Sequence, residues 1–156
     1  MKTATVKQLK DELKDSTHSE LVDLCLRLSR FKKENKELLT YLLFEASDET
    51  HFIEGVKAEV SEQFLEINTS SYHYIKKSVR KILRRVKTYI RYSKRKETEV
   101  ELLLYFCSEL KAMQPTMRAN VSLVNIYERQ ILLIKKAITT LHEDLQYDYN
   151  NILEEL

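Results

Sequence analysis

Four histidines and two cysteines are the side chains in this 156-residue chain that metal or nucleophile chemistry would use first. His18, His51, His73 and His142 are scattered, and Cys25 and Cys107 stand alone, so the clustered Cys/His spacing that zinc requires is missing. A carboxylate-bridged dimetal bundle needs two Glu-x-x-His helical motifs plus two further inward carboxylates. The chain offers one weak variant, Asp48-x-x-His51, without a second copy. His142, Glu143 and Asp144 are successive, and successive residues on a helix point in different directions. With a single glycine, Gly55, in a helical context, no Gly-rich phosphate loop can be built. The expectation is a non-enzyme with no catalytic, cofactor-binding or metal site and no small-molecule substrate.

What the spacing does offer is electrostatics. The stretch YIKKSVRKILRRVKTYIRYSKRK, Tyr74 to Lys96, carries eleven Lys and Arg and no acid. On either side the balance reverses. Residues 1–66 hold ten basic and fourteen acidic side chains, and residues 97–156 hold five and ten, so the net charge of +2 conceals an acidic–basic–acidic order.

On a helix of about 100° per residue, Tyr72, Ile75, Val79, Ile82, Leu83, Val86, Tyr89 and Ile90 share one apolar stripe. That leaves Lys76, Lys77, Arg80, Lys81, Arg84, Arg85, Lys87 and Arg91 on the remaining arc, with Tyr74 and Tyr92 inside the basic field as rings on which a base could stack. Like charges at i,i+3 and i,i+4 cost such a helix about 2–5 kcal/mol at low salt, so something must offset them. One candidate is internal: Glu59, Glu62 and Glu66 form an acidic stripe, and Glu97, Glu99, Glu101 and Glu109 follow the basic segment. The same complementarity between two copies would drive self-association, as in a homodimer. The other candidate is an external polyanion, nucleic acid, contacted by those eight cations and two tyrosines.

The elements that must position this surface are helices. One glycine and one proline in 156 residues leave no turn chemistry for a sheet, and the chain is rich in Leu, Lys, Glu and Arg. Capping boxes at Thr5/Gln8, Thr17/Glu20 and Thr98/Glu101 mark helix starts. A third helix is expected over about 34–46 and a fourth to about Ile67, with a break at NTSSYH before the basic helix. Pro115 marks a loop over Gln114–Arg118. Beyond it Val124, Tyr127, Ile131, Ile134, Ile138, Leu141 and Leu145 predict one long C-terminal helix. Ile126, Leu133 and Ala137 form its second apolar strip, which suits a central bundle helix or a partner seam.

The fold expectation is therefore all-α, an irregular helical bundle or a short stack of helical hairpins, with six or seven helices in a single domain over 1–156. Leu24–Glu45 aligns with Thr88–Glu109 at eight of 22 positions, which suggests duplicated hairpins over about 18–67 and 71–113. Both cysteines are expected reduced within a core. The N-terminus is too polar for a signal peptide and no apolar run approaches a membrane span, so the cytoplasm is the expected location and no membrane partner is expected.

The stretches LCLRLSRFKKENKELLTYLLFE, LLLYFCSELK and TLHEDLQYDY resemble a family of small, uncharacterised bacterial cytosolic proteins. The resemblance implies a free-standing all-helical domain and carries no activity, ligand or site residue. The functional expectation is a non-catalytic interaction or scaffold module, binding a protein partner or itself. The alternative is a nucleic-acid-binding accessory protein acting through residues 74–96.

Overall fold

A computed structural model describes all residues from Met1 to Leu156 and contains helices without any strand. The helices are α1 (Val6–Asp15), α2 (His18–Phe31), α3 (Lys33–Thr40), α4 (Glu49–Leu65), α5 (Tyr72–Ser93), α6 (Lys96–Ala112), α7 (Val121–Ile138) and α8 (Glu143–Glu155). A single π-type turn, Tyr41–Glu45, extends α3, and a 3₁₀ turn, Met117–Ala119, follows Pro115. The all-α expectation holds, with eight helices instead of six or seven. By their contacts the residues form two compact units, Met1–Phe44 and Glu45–Leu156, a boundary that the sequence reading did not draw.

In the first unit the two capping boxes form as read. Thr5 Oγ1 accepts from the Gln8 amide at 3.3 Å while Gln8 Oε1 accepts from the Thr5 amide at 2.9 Å. Thr17 and Glu20 repeat the exchange at 3.3 and 2.7 Å, and the amide of Thr17 holds the Glu20 carboxyl below its ordinary range. Helices α2 and α3 form a hairpin, its break fastened by Asn35 Nδ2 donating to the Leu28 carbonyl at 2.8 Å. No residue before Tyr41 is buried, so Cys25 is exposed and does not sit in a core as expected.

In the second unit α6 is the central helix, packed by α4, α5 and α7, and α8 rests on α7. Three successive residues, Leu102, Leu103 and Leu104, are all buried, as are Val100, Phe106, Cys107 and Leu110. Successive residues point in different directions, so a helix burying three in a row is covered nearly all round. The C-terminal segment, expected as a central bundle helix or a partner seam, packs against α6 as α7.

The C-terminal helix is also not continuous. It stops at Ile138, where the Thr139 and Thr140 hydroxyls donate to the Lys136 and Ala137 carbonyls at 2.8 and 2.7 Å. Such local bonds give the backbone an alternative to the helix ladder. His142 then caps α8, its Nδ1 accepting from the Asp144 amide at 3.4 Å. Similarly α6 begins at Lys96 and not at Thr98, because Thr98 lies inside the helix with its hydroxyl bonded to Glu49 at 2.5 Å. The fourth helix is separate from the third, and Asp48 is its cap: the carboxylate accepts from the His51 amide at 3.0 Å.

Candidate functional site

Tyr74 to Ser93 of the basic stretch lie in one unbroken helix of 22 residues, α5, ended by Lys94 in the left-handed conformation at φ 59°, whereas Lys94 and Arg95 form the turn and Lys96 opens α6. Ile75, Val79, Ile82 and Val86 on its apolar stripe are 0–2% exposed. Burying four such side chains contributes about 6–12 kcal/mol, which outweighs the about 2–5 kcal/mol of self-repulsion along the opposite arc. Docking on α4 and α6 therefore holds the helix in place despite its charge.

The structure sorts the ten site residues read from the sequence. Lys77, Arg80, Lys81, Arg84, Lys87 and Arg91 are exposed, and none of them has a carboxylate within ion-pair distance. Arg84 Nε donates to the Arg80 carbonyl at 3.3 Å and Arg91 donates to the Thr88 hydroxyl at 3.1 Å, contacts that leave the charges uncompensated. Lys76 is half-buried and also lacks an acid partner. Arg85 is drawn to the flank, its Nε 3.4 Å from Glu59 and its guanidinium 4.3 Å from the centroid of the Tyr89 ring.

The two tyrosines separate. Tyr74 is 48% exposed at the start of α5, with its ring edge-on to His73 at 5.5 Å. Tyr92 is 8% exposed, packed edge-on against Tyr89 at 6.1 Å, and so leaves the basic field where the helical wheel had placed it. The cause is the flank covered by α4. In the second half of α5 that neighbour draws Arg85 and Tyr89 to Glu59, and Ser93 to Glu49, so Thr88 and Tyr92 turn inward as well.

The acidic neighbours answer little of this charge. Of the expected stripe, Glu59 bonds to α5, whereas Glu62 and Glu66 are exposed and pair with no cation. Glu49, which sequence reading missed, accepts from the Ser93 and Thr98 hydroxyls and lies 3.6 Å from Arg95 Nε. Glu99 takes Lys96 at 2.6 Å, and Glu101 takes Lys57, outside the basic helix, at 3.2 Å. The internal counter-charges thus gather at one flank and at the α5–α6 corner, and the outer arc is left as a cationic band.

A cleft of about 570 Å³ between α4, α6 and α8 is the other place where polar groups converge. Lys57 Nζ lies 2.8 Å from Glu54 and 3.2 Å from Glu101, the Tyr149 hydroxyl donates to Glu101 at 3.1 Å, and Tyr105 meets Ser61 at 2.5 Å. Burial would lower Lys57, but the bonds to Glu54 and Glu101 outweigh it and hold the amine above its ordinary value. Burial and the nearby Glu101 charge push the Tyr149 phenol well up. Lys57 is held between two carboxylates and Tyr149 reaches one of them, so the cluster fastens α4, α6 and α8 together. No group of three or more His, Cys, Asp or Glu is placed to hold a metal ion, and no helix is long and apolar enough to cross a membrane.

Compared with protein-family models, curated proteins and solved structures, the chain shows no significant match.

Proposed function

We propose that this protein is a non-catalytic helical module that binds nucleic acid through its phosphates, with the exposed arc of α5 as the contact surface. The observation that carries the reading is the band of six exposed cations, Lys77, Arg80, Lys81, Arg84, Lys87 and Arg91, without a carboxylate partner. An exposed row of like charges concentrates a counter-charged partner at its surface and speeds its approach. Fluorescence anisotropy with labelled oligonucleotides tests this. Six phosphate contacts make the affinity fall by about 10³ between about 50 and 200 mM salt. No binding at the lower salt overturns the reading.

A second reading, self-association through the first unit, is favoured by a different observation. Leu28, Phe31, Leu42, Leu43 and Phe44 are 57–77% exposed. On α2, Glu20 and Asp23 precede Cys25 and Arg27 and Arg30 follow it at matching distances, all of them exposed. The four charges share the side of α2 opposite Cys25, and two copies laid antiparallel with those sides together bring acids of one against bases of the other, which favours a second copy of this chain as the partner. Light scattering should give a dimer that Arg27→Glu with Arg30→Glu converts to monomer. A wild-type monomer at high protein concentration overturns this second reading.

A further inference from the structure

Resting on the nucleic-acid reading, we infer that the α5 band takes double-stranded nucleic acid, through the phosphates of both strands and without reading base sequence. The shape of the band carries the first part. Its six exposed cations run from Lys77 to Arg91, about 21 Å along the axis at 1.5 Å per residue, and cover about 120° of the circumference. At a side-chain radius of about 5–6 Å that is a strip about 10 Å across. In the first half of α5 Lys77 and Lys81 lie on one edge and Arg80 on the other, with Arg84 between them; in the second half Thr88 is buried on the first edge, and Lys87 and Arg91 continue the second alone. Two edges at that separation suit two phosphate rows flanking a groove, since duplex grooves are about 6–12 Å wide. A single strand offers one row at half the charge density, about one phosphate per 3.4 Å against one per 1.7 Å of duplex.

The aromatic side chains carry the second part. Surfaces that hold single strands stack successive bases on rings. Of the tyrosines on α5, Tyr92 is buried, Tyr89 bonds to Glu59 beneath Arg85, and Tyr72 is half-buried and donates to the Thr116 carbonyl at 3.0 Å. Tyr74 alone is exposed, at one end of the band. One ring supports one stacked base and not a track of them. The segment from Tyr72 to Lys96 also contains no Asn, Gln, Asp or Glu, so amide and carboxylate contacts to adenine and cytosine are missing, and the exposed cations that could read guanine are the ones assigned to phosphates.

The test is anisotropy on the full chain with a labelled duplex, a labelled single strand of equal length and a second duplex of unrelated sequence, all at low salt. The expected result is duplex binding tighter than single-strand binding by about tenfold or more, with a salt slope near −5 and the two duplexes equal. Tyr74→Ala should leave duplex affinity unchanged. Single-strand binding as tight as duplex binding, weakened by Tyr74→Ala, overturns this inference and leaves the nucleic-acid reading standing. A tenfold preference between the two duplexes overturns its sequence independence. Binding to neither oligonucleotide, with or without binding to anionic phosphatidylserine vesicles, overturns both.

Discussion

Arg85 Nε stands 3.4 Å from Glu59 Oε1 on the neighbouring helix, and the same carboxylate accepts a hydrogen bond from the Tyr89 hydroxyl. Glu59 thus holds two side chains of α5 to one flank, while Glu62 on the same helix and Glu66 just past its end hold none. Glu59→Ala should therefore destabilise the protein by about 1–2 kcal/mol, a charged hydrogen-bond pair discounted for its partial exposure. Glu62→Ala and Glu66→Ala should stay within about 0.5 kcal/mol. Urea denaturation of the three variants is the measurement. Equal losses in all three would mean that the whole acidic stripe neutralises α5.

Arg84 sits at the middle of the cationic band, with Arg80, Lys81 and Lys87 one turn away on either side. Arg84→Glu turns three repulsive i,i+3 or i,i+4 pairs into attractive ones, so at low salt it should raise stability by about 1 kcal/mol. The same change should lower oligonucleotide affinity by about tenfold or more, because one phosphate contact is lost and a repulsive one is gained. Opposite signs on the two readouts are what a binding surface maintained at a cost in stability requires. A variant that is less stable and binds unchanged would place Arg84 in the packing of α5 instead.

What the sequence made legible was local. The boxes at Thr5/Gln8 and Thr17/Glu20 close within one turn, so residue types three apart determine them. The Thr98/Glu101 box has the same spelling and does not form, because Glu49, 49 residues away, takes the Thr98 hydroxyl. The apolar rhythm Ile134, Ile138, Leu141, Leu145 runs straight across the break between α7 and α8, and the threonine hydroxyls that make that break leave periodicity untouched. The cationic band was readable from composition and the helical wheel. Which of its members would be uncompensated was not, since that depends on the flank of α5 that α4 covers.

The two cysteines should differ in reactivity. Cys25 is exposed and Cys107 is fully buried, so a thiol reagent should titrate one thiol per native chain and two in denaturant. Burial also pushes the Cys107 thiol up from about 9.0 to about 12. The unfolded chain loses that proton near pH 9 while the folded chain keeps it, so its contribution is complete below pH 9 and is lost as the pH climbs to about 12. Tyr149 and Lys57, both raised, act in the same direction above pH 10. Stability measured by denaturant melts should be level from neutral pH to about 9 and then fall, less steeply in Cys107→Ala. Two fast-reacting thiols in the native chain would contradict the packing of α6.

Gln130 on α7 is 3% exposed, and its side-chain carbonyl has no hydrogen-bond partner. Its amide nitrogen donates to the Ile126 carbonyl at 3.0 Å, one turn back along the same helix. That carbonyl can already accept from the helix ladder, so removing the side-chain donor leaves nothing new unpaired. The lone Oε1, by contrast, carries the desolvation penalty of a buried acceptor, about 1–3 kcal/mol. Gln130→Met keeps the unbranched shape and removes the acceptor, and should raise stability by about 1 kcal/mol, an increase of several degrees in Tm. Gln130→Glu is the opposing control: it places a charge in the same apolar setting and should destabilise by several kcal/mol at neutral pH, with recovery as the carboxyl is protonated. If Gln130→Met lowered the Tm instead, Oε1 would have to accept a hydrogen bond within the folded core.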